Sequence, residues 1–147
     1  MKKKLFQNKI VVKKSPIHGY GVYAEEIIKK GSLVEECHVL LTRHEDEDYM
    51  DYYFKAGSKR NAIILGYGCI YNHSETPNAE LIFEADYSGA NVIARAAIKK
   101  GEEIFISYGK EWFDSRDMKS KEQESKRGAS KQTTKPARSR KVKSKSK

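Results

Sequence analysis

The stretches IYNHSETPN (residues 70–78) and GEEIFISYG (residues 101–109), preceded by HGYG (residues 18–21), decide how this 147-residue chain is read. Each is short, and each mixes turn formers with residues that favour extended backbone. Working outward, β-branched or alternating runs at residues 10–13, 21–24, 33–41, 62–65, 80–84, 91–97 and 104–107 predict strands, separated by Gly, Pro, Asn and Ser. One helix is expected over residues 45–54, where acidic side chains crowd the first turn, with Gly57 as its stop. No βαβ rhythm is present, which argues against a doubly wound sheet with a glycine-rich strand-to-helix loop. The expectation is a mainly β protein with short helices and several small sheets.

Composition divides the chain in two. Residues 1–114 carry 16 Lys+Arg against 17 Asp+Glu, a balance of −1, and residues 115–147 carry 13 against 3, a balance of +10, which together give the net +9. After Phe113 there is no aromatic residue, and Met118 and Val142 are the only larger apolar side chains. Such a segment cannot bury enough surface to offset the entropy of ordering it, so the reading is one domain over residues 1–114 and a disordered Lys/Arg-rich tail over 115–147. Cys37 and Cys69 stand 32 positions apart outside any CxxC context, so neither a zinc site nor a disulfide framework is expected. No run approaches the roughly 20 apolar residues of a membrane span, and the N-terminal MKKKLFQNK lacks an apolar signal core. A soluble intracellular protein is expected.

The residues themselves suggest chemistry but leave it open. Gly19 and Gly21 remove side chains where a ligand could lie against main chain, yet HGYG taken singly reads equally as a hairpin turn. Asn72 and His73 supply directional hydrogen-bond partners, with Pro77 fixing the loop exit, and as a lone triplet NHS reads as a solvated turn. Nine tyrosines are spread along the chain, and aromatic faces attract ammonium groups. The acidic residues 46–51 suit either a basic peptide or ordinary solvation.

In order and spacing, these blocks resemble a SET-domain protein lysine methyltransferase over residues 9–113, and are most similar to the small stand-alone SET proteins of large DNA viruses. The resemblance implies small sheets around a knot-like C-terminal crossing, in which the segment bearing Tyr108 passes the NHS strand. It implies S-adenosylmethionine as methyl donor, held by Gly19, Tyr20, Gly21, Asn72, His73 and Trp112. Tyr108 is the implied catalytic residue, and Tyr20, Tyr52, Tyr108 and Trp112 the implied walls of a lysine channel. Glu75 stands where the family often has a zinc-binding Cys, Ser107 where it often has Asp, and Trp112 where Tyr or Phe is commoner. The implied substrate is a basic protein, a histone or histone-like packaging protein, in a nuclear or nucleoid setting. Viral relatives dimerise, and the tail suits contact with nucleic acid. The rival reading is a catalytically idle SET-like module that docks on chromatin.

Overall fold

The computed structural model of the chain describes residues 4–116; of the tail expected over 115–147, Ser115 and Arg116 are instead ordered at the end of the last helix, and residues 117–147 lie outside the described ones. Among the described residues, nine strands form two sheets. The first has the order β1-β2-β9-β6, from Ile10–Lys14, Tyr20–Ala24, Glu103–Ile106 and Asn72–His73. The second has the order β4-β5-β3-β8-β7, from Tyr53–Lys55, Asn61–Ile64, Leu33–Thr42, Gly89–Ala94 and Ala79–Phe83.

Local chemistry explains most of this arrangement. In the β1-β2 hairpin the register runs from Ile10 opposite Ala24 to Lys14 opposite Tyr20. Its turn closes with the Ser15 amide donating to the Gly19 carbonyl at 2.9 Å, and Gly19 takes φ +48° there. β2 continues into β9, with Val22 opposite Ile104. Val22, Ile104 and Ile106 are fully buried and join Ile28, Val34 and Ile98 in the main core. Burying an aliphatic side chain of this size stabilises by about 1.5–3 kcal/mol, so this cluster anchors β9 firmly. A smaller core of Cys37, Val39, Ala62, Ile64 and Ala90 lies under the five-stranded sheet.

Seven of the expected strands are present, with ends shifted by up to three residues. Residues 95–97 leave the sheet because the Arg95 amide bonds to the Asn78 carbonyl, and Ile98 instead bridges to Ile28. The helix expected over 45–54 is a correction: the segment is a 3-10 turn, Glu47–Tyr52, followed directly by β4. Asp46 caps it, its side chain accepting from the Asp48 amide at 3.0 Å, so the acidic start was legible. The helix stops early because Tyr53 and Phe54 are claimed by pairing with Ile63 and Ala62 of β5. Aromatic side chains pack well on a pleated surface, and tertiary pairing outweighs a weak helical preference. A short helix, α1 at Lys110–Asp114, was not anticipated. No helix among the described residues is long and apolar enough to cross a membrane.

Candidate active site

The site is built where β6 and β9 run side by side. Their pairing is parallel, Asn72 opposite Phe105 and His73 opposite Ile106, and the Ser74 amide adds a bond to the Ile106 carbonyl at 3.2 Å. Asn78 ties the exit of the NHS loop to the same strand, its Oδ1 accepting from the Phe105 amide and its Nδ2 donating to the Glu103 carbonyl, both at 2.8 Å. The crossing that carries Tyr108 is therefore held at both ends of the loop.

Asn72 is buried and committed inward. Its Nδ2 donates to the carbonyls of His18 at 3.2 Å and Tyr20 at 3.0 Å, and to Glu103 Oε1 at 2.8 Å. All three partners are acceptors only, which fixes the amide orientation and leaves Oδ1 as the atom Asn72 can offer a ligand. Glu103 is 7% exposed; its Oε2 accepts from Ser15 Oγ at 3.0 Å and from the Tyr23 hydroxyl at 2.9 Å. A Cβ added at Gly21 would lie 2.0 Å from Glu103 Oε1 and 3.2 Å from Asn72 Nδ2. The space beside Gly21 is thus filled by protein, and the second glycine of HGYG admits Glu103. A Cβ at Gly19, by contrast, would meet nothing within 4 Å.

His73 holds Tyr108. Its Nδ1 accepts from the Tyr108 amide at 3.1 Å, so a neutral ring carries its proton on Nε2, which faces Glu75 Oε1 at 3.4 Å. The ring also packs edge-on against Phe113, centroids 4.7 Å apart. The Tyr108 hydroxyl donates to the Tyr71 carbonyl at 2.6 Å. Burial, with the nearby charges of Asp51 and Glu103 and the phenol of Tyr52, pushes the Tyr108 phenol up to about 12. It stays protonated at neutral pH, its proton pointed at Tyr71 and its lone pairs available on the other side.

Tyr108 lines a cavity of about 560 Å³ with Trp112, Phe54, Leu81 and Arg116, a size suited to a small ligand or an inserted side chain. Trp112 packs tilted against the Tyr108 ring, centroids 4.8 Å apart, and Phe54 meets it edge-on at 5.9 Å. Arg116 secures this wall: its guanidinium lies 4.1 Å over the Trp112 ring and donates to the Trp112, Met50 and Tyr53 carbonyls. Trp112 Nε1 is buried without an acceptor among the described residues.

The expected residues are therefore brought together unequally. Tyr108, His73 and Trp112 form one contiguous aromatic cluster, and Gly19, Tyr20, Gly21 and Asn72 form a second unit bonded to it through consecutive positions of β6. Tyr20 and Tyr52 are about half exposed, and among the described residues neither stacks on the Tyr108 ring. Sequence reasoning missed Glu103, Tyr71 and Arg116. The GEE motif contained the first, but nothing in it says which of two adjacent carboxylates turns inward.

The SET domain family matches residues 19–109, from the first glycine of HGYG to the glycine after Tyr108. The chain belongs to the SET-domain family. A crystal structure of a Plasmodium falciparum "putative histone methyltransferase" is 35% identical in sequence, with a TM-score of 0.63, covering 74% of this SET chain and 99% of that one. A search of curated proteins gives no match.

Proposed function

We propose that this SET protein is a protein-lysine N-methyltransferase using S-adenosylmethionine, acting on a basic protein such as a histone or histone-like packaging protein. The observation that carries the reading is Tyr108: a protonated phenol clamped at its amide by His73 and at its hydroxyl by Tyr71, on the wall of a cavity lined by Trp112 and Phe54. The same kind of reaction is named for the Plasmodium relative.

The residues present fit the methyl donor. The cofactor when bound supplies an electrophilic methyl group on a sulfonium centre. Gly19 leaves open space at the turn, Tyr20 offers main chain, and Asn72 Oδ1 is a free acceptor suited to an amine. Trp112 Nε1 is a buried donor without a protein acceptor among the described residues, suited to an acceptor on the ligand. His73 acts through Tyr108, since both its ring nitrogens have protein partners.

Tyr108 aligns the incoming lysine through its phenol oxygen and does not act as a base, because its proton is held far above neutral pH. A lysine with a usual pKa of about 10.4 costs about 4.6 kcal/mol to present as the free amine at pH 7. The aromatic walls lower that cost by desolvating the ammonium, and water takes the proton before transfer. Tyr20 and Tyr52 complete the channel once a substrate peptide covers their exposed faces. The viral SET pattern, the catalytic unit ending near Arg116, nuclear or nucleoid residence, dimerisation, and nucleic-acid contact through the Lys/Arg-rich segment 115–147 belong to the same proposal. Incubation with labelled methyl donor and a panel of basic proteins, followed by mass spectrometry, tests it; methylated lysine is the expected product, and no transfer to any basic protein would overturn it.

A further inference from the structure

Glu103 is a buried carboxylate whose side-chain partners are all neutral. Ser15 Oγ, the Tyr23 hydroxyl and Asn72 Nδ2 donate to it, and among the described residues no lysine, arginine or histidine is a hydrogen-bond partner. The Lys13 ammonium stands over the Tyr23 ring, 5.6 Å from its centroid, and not on the carboxylate. Keeping an ionised carboxylate inside a protein without a cation is costly, and a glutamine or an apolar side chain would fill the same volume more cheaply. The chain has made room for it by having no Cβ at Gly21. Its charge is felt at two places: burial first, and then Glu103, raises the Tyr23 phenol, and burial, Asp51 and Glu103 in that order raise the Tyr108 phenol. The two units of the candidate site, the Gly19–Gly21 turn and the Tyr108 cluster, thus share one buried carboxylate behind them that has no cationic partner among the described residues.

We propose that Glu103 is a specificity-determining residue, whose buried negative charge makes the site prefer the cationic sulfonium donor over the neutral thioether left after transfer. The inference rests on the methyltransferase reading above. Transfer forms the N–C bond to lysine and breaks the S–C bond, whose electron pair stays on sulfur, so the cofactor loses its sulfonium charge in that step. The buried carboxylate behind the site stabilises the charged form and not the uncharged one, in a region where low dielectric and poor screening make the difference felt. Product release is favoured for the same reason. Glu103 also acts as a positioning group, since accepting from Asn72 Nδ2 turns Asn72 Oδ1 to its free side. A purely structural role would affect donor and product alike, and the charge role separates them.

The test is calorimetric titration of the full chain with S-adenosylmethionine and with S-adenosylhomocysteine, in the wild type, in Glu103→Gln and in Ser15→Lys. The glutamine keeps the size, with its Oε1 toward Asn72 and its amide toward the two hydroxyls, which can turn to accept. Lysine at position 15, partly buried beside Glu103 Oε2, neutralises the same charge without altering Glu103. The expected result is that the preference for the sulfonium ligand over the thioether falls at least threefold in both variants, while thioether affinity stays within twofold. If either folded variant keeps the wild-type preference, or loses both ligands equally, Glu103 is structural only and the inference fails. Wild-type protein that binds neither ligand would instead overturn the methyltransferase reading.

Discussion

The Tyr108 hydroxyl lies 2.6 Å from the carbonyl oxygen of Tyr71, a bond that fixes where the phenol proton points before any substrate arrives. Tyr71 is itself immobile: its ring is 1% exposed and its hydroxyl donates to the buried Glu35 at 2.9 Å. An oxygen aligned in advance contributes to the transition state without paying for alignment at that moment. Tyr108→Phe is therefore expected to abolish most lysine methylation while leaving cofactor affinity nearly unchanged, a loss in kcat at constant Kd. Retention of more than half the wild-type rate removes Tyr108 from its role.

Asn72 and His73, neighbours in sequence, are expected to fail differently. Asn72→Ala removes the group that holds the His18 and Tyr20 carbonyls and leaves Glu103 short of a donor, so cofactor affinity should fall about tenfold or more, at 1.5–3 kcal/mol for a bond to a charged group. His73→Ala frees the Tyr108 amide, so turnover should fall more than cofactor affinity. Titration and steady-state kinetics on the two variants decide it. Identical profiles would mean that the division of labour between them is wrong.

The two glycines of HGYG should separate as sharply in stability. Gly21→Ala drives a Cβ into the Glu103 carboxylate and should destabilise by about 3 kcal/mol or more, through overpacking and disruption of a buried polar group. Gly19→Ala meets open space and suffers only left-handed backbone strain at φ +48°, about 1 kcal/mol. Urea denaturation of both variants measures the difference, and equal losses would contradict the packing described around Glu103.

Much of this was legible in the sequence, for physical reasons that also mark where reading stops. Gly, Pro and Asn punctuate the chain at real turns, so seven strands were found, whereas the passage of the Tyr108 segment along the NHS strand came only from the family resemblance that HGYG, NHS and ISYG carry. Two-residue β6 and three-residue β4 carry too few positions for any period to show. Glu103 and Glu102 are indistinguishable as letters; burial of one follows from Ser15, Tyr23 and Asn72 converging from 88, 80 and 31 positions away. Gly21 was legible as a glycine that mattered, but the reason was not, since it depends on a partner across the sheet.

Activity should rise with pH in a manner set by the substrate. The lysine gains about tenfold in free amine per pH unit below its pKa, whereas Tyr108, raised to about 12, stays protonated throughout. A rate climbing from pH 7 to 9.5 without a falling limb from the enzyme's phenol is expected. Stability has the opposite sense. A tyrosine whose folded pKa exceeds its usual value of about 10 contributes fully below that value, and its contribution is lost as pH rises from about 10 to 12. Denaturation midpoints should fall across that window, and less steeply in Tyr108→Phe. A falling limb in the rate below pH 9.5 that disappears in Tyr108→Phe would show the phenol ionising early.

The C-terminal boundary can be tested by where the chain is cut. Arg116 is a working part of the fold: its side chain is 8% exposed, it bonds three main-chain carbonyls, and it covers the Trp112 ring. A chain ending at Lys119 should keep thermal stability, cofactor binding and methylation of a short free peptide. A chain ending at Asp114 loses Arg116, leaves the Met50 and Tyr53 carbonyls without their donor, and should be less stable by about 1–3 kcal/mol with a weaker hold on Trp112. DNA affinity separates the remaining role. With 13 basic residues in 115–147, binding by the intact chain should fall steeply between 50 and 200 mM salt, and the Lys119 truncation should lose most of both the affinity and its salt dependence. If the Lys119 truncation instead unfolds or loses peptide methylation, residues beyond 119 belong to the catalytic unit, and the boundary proposed near Arg116 is wrong.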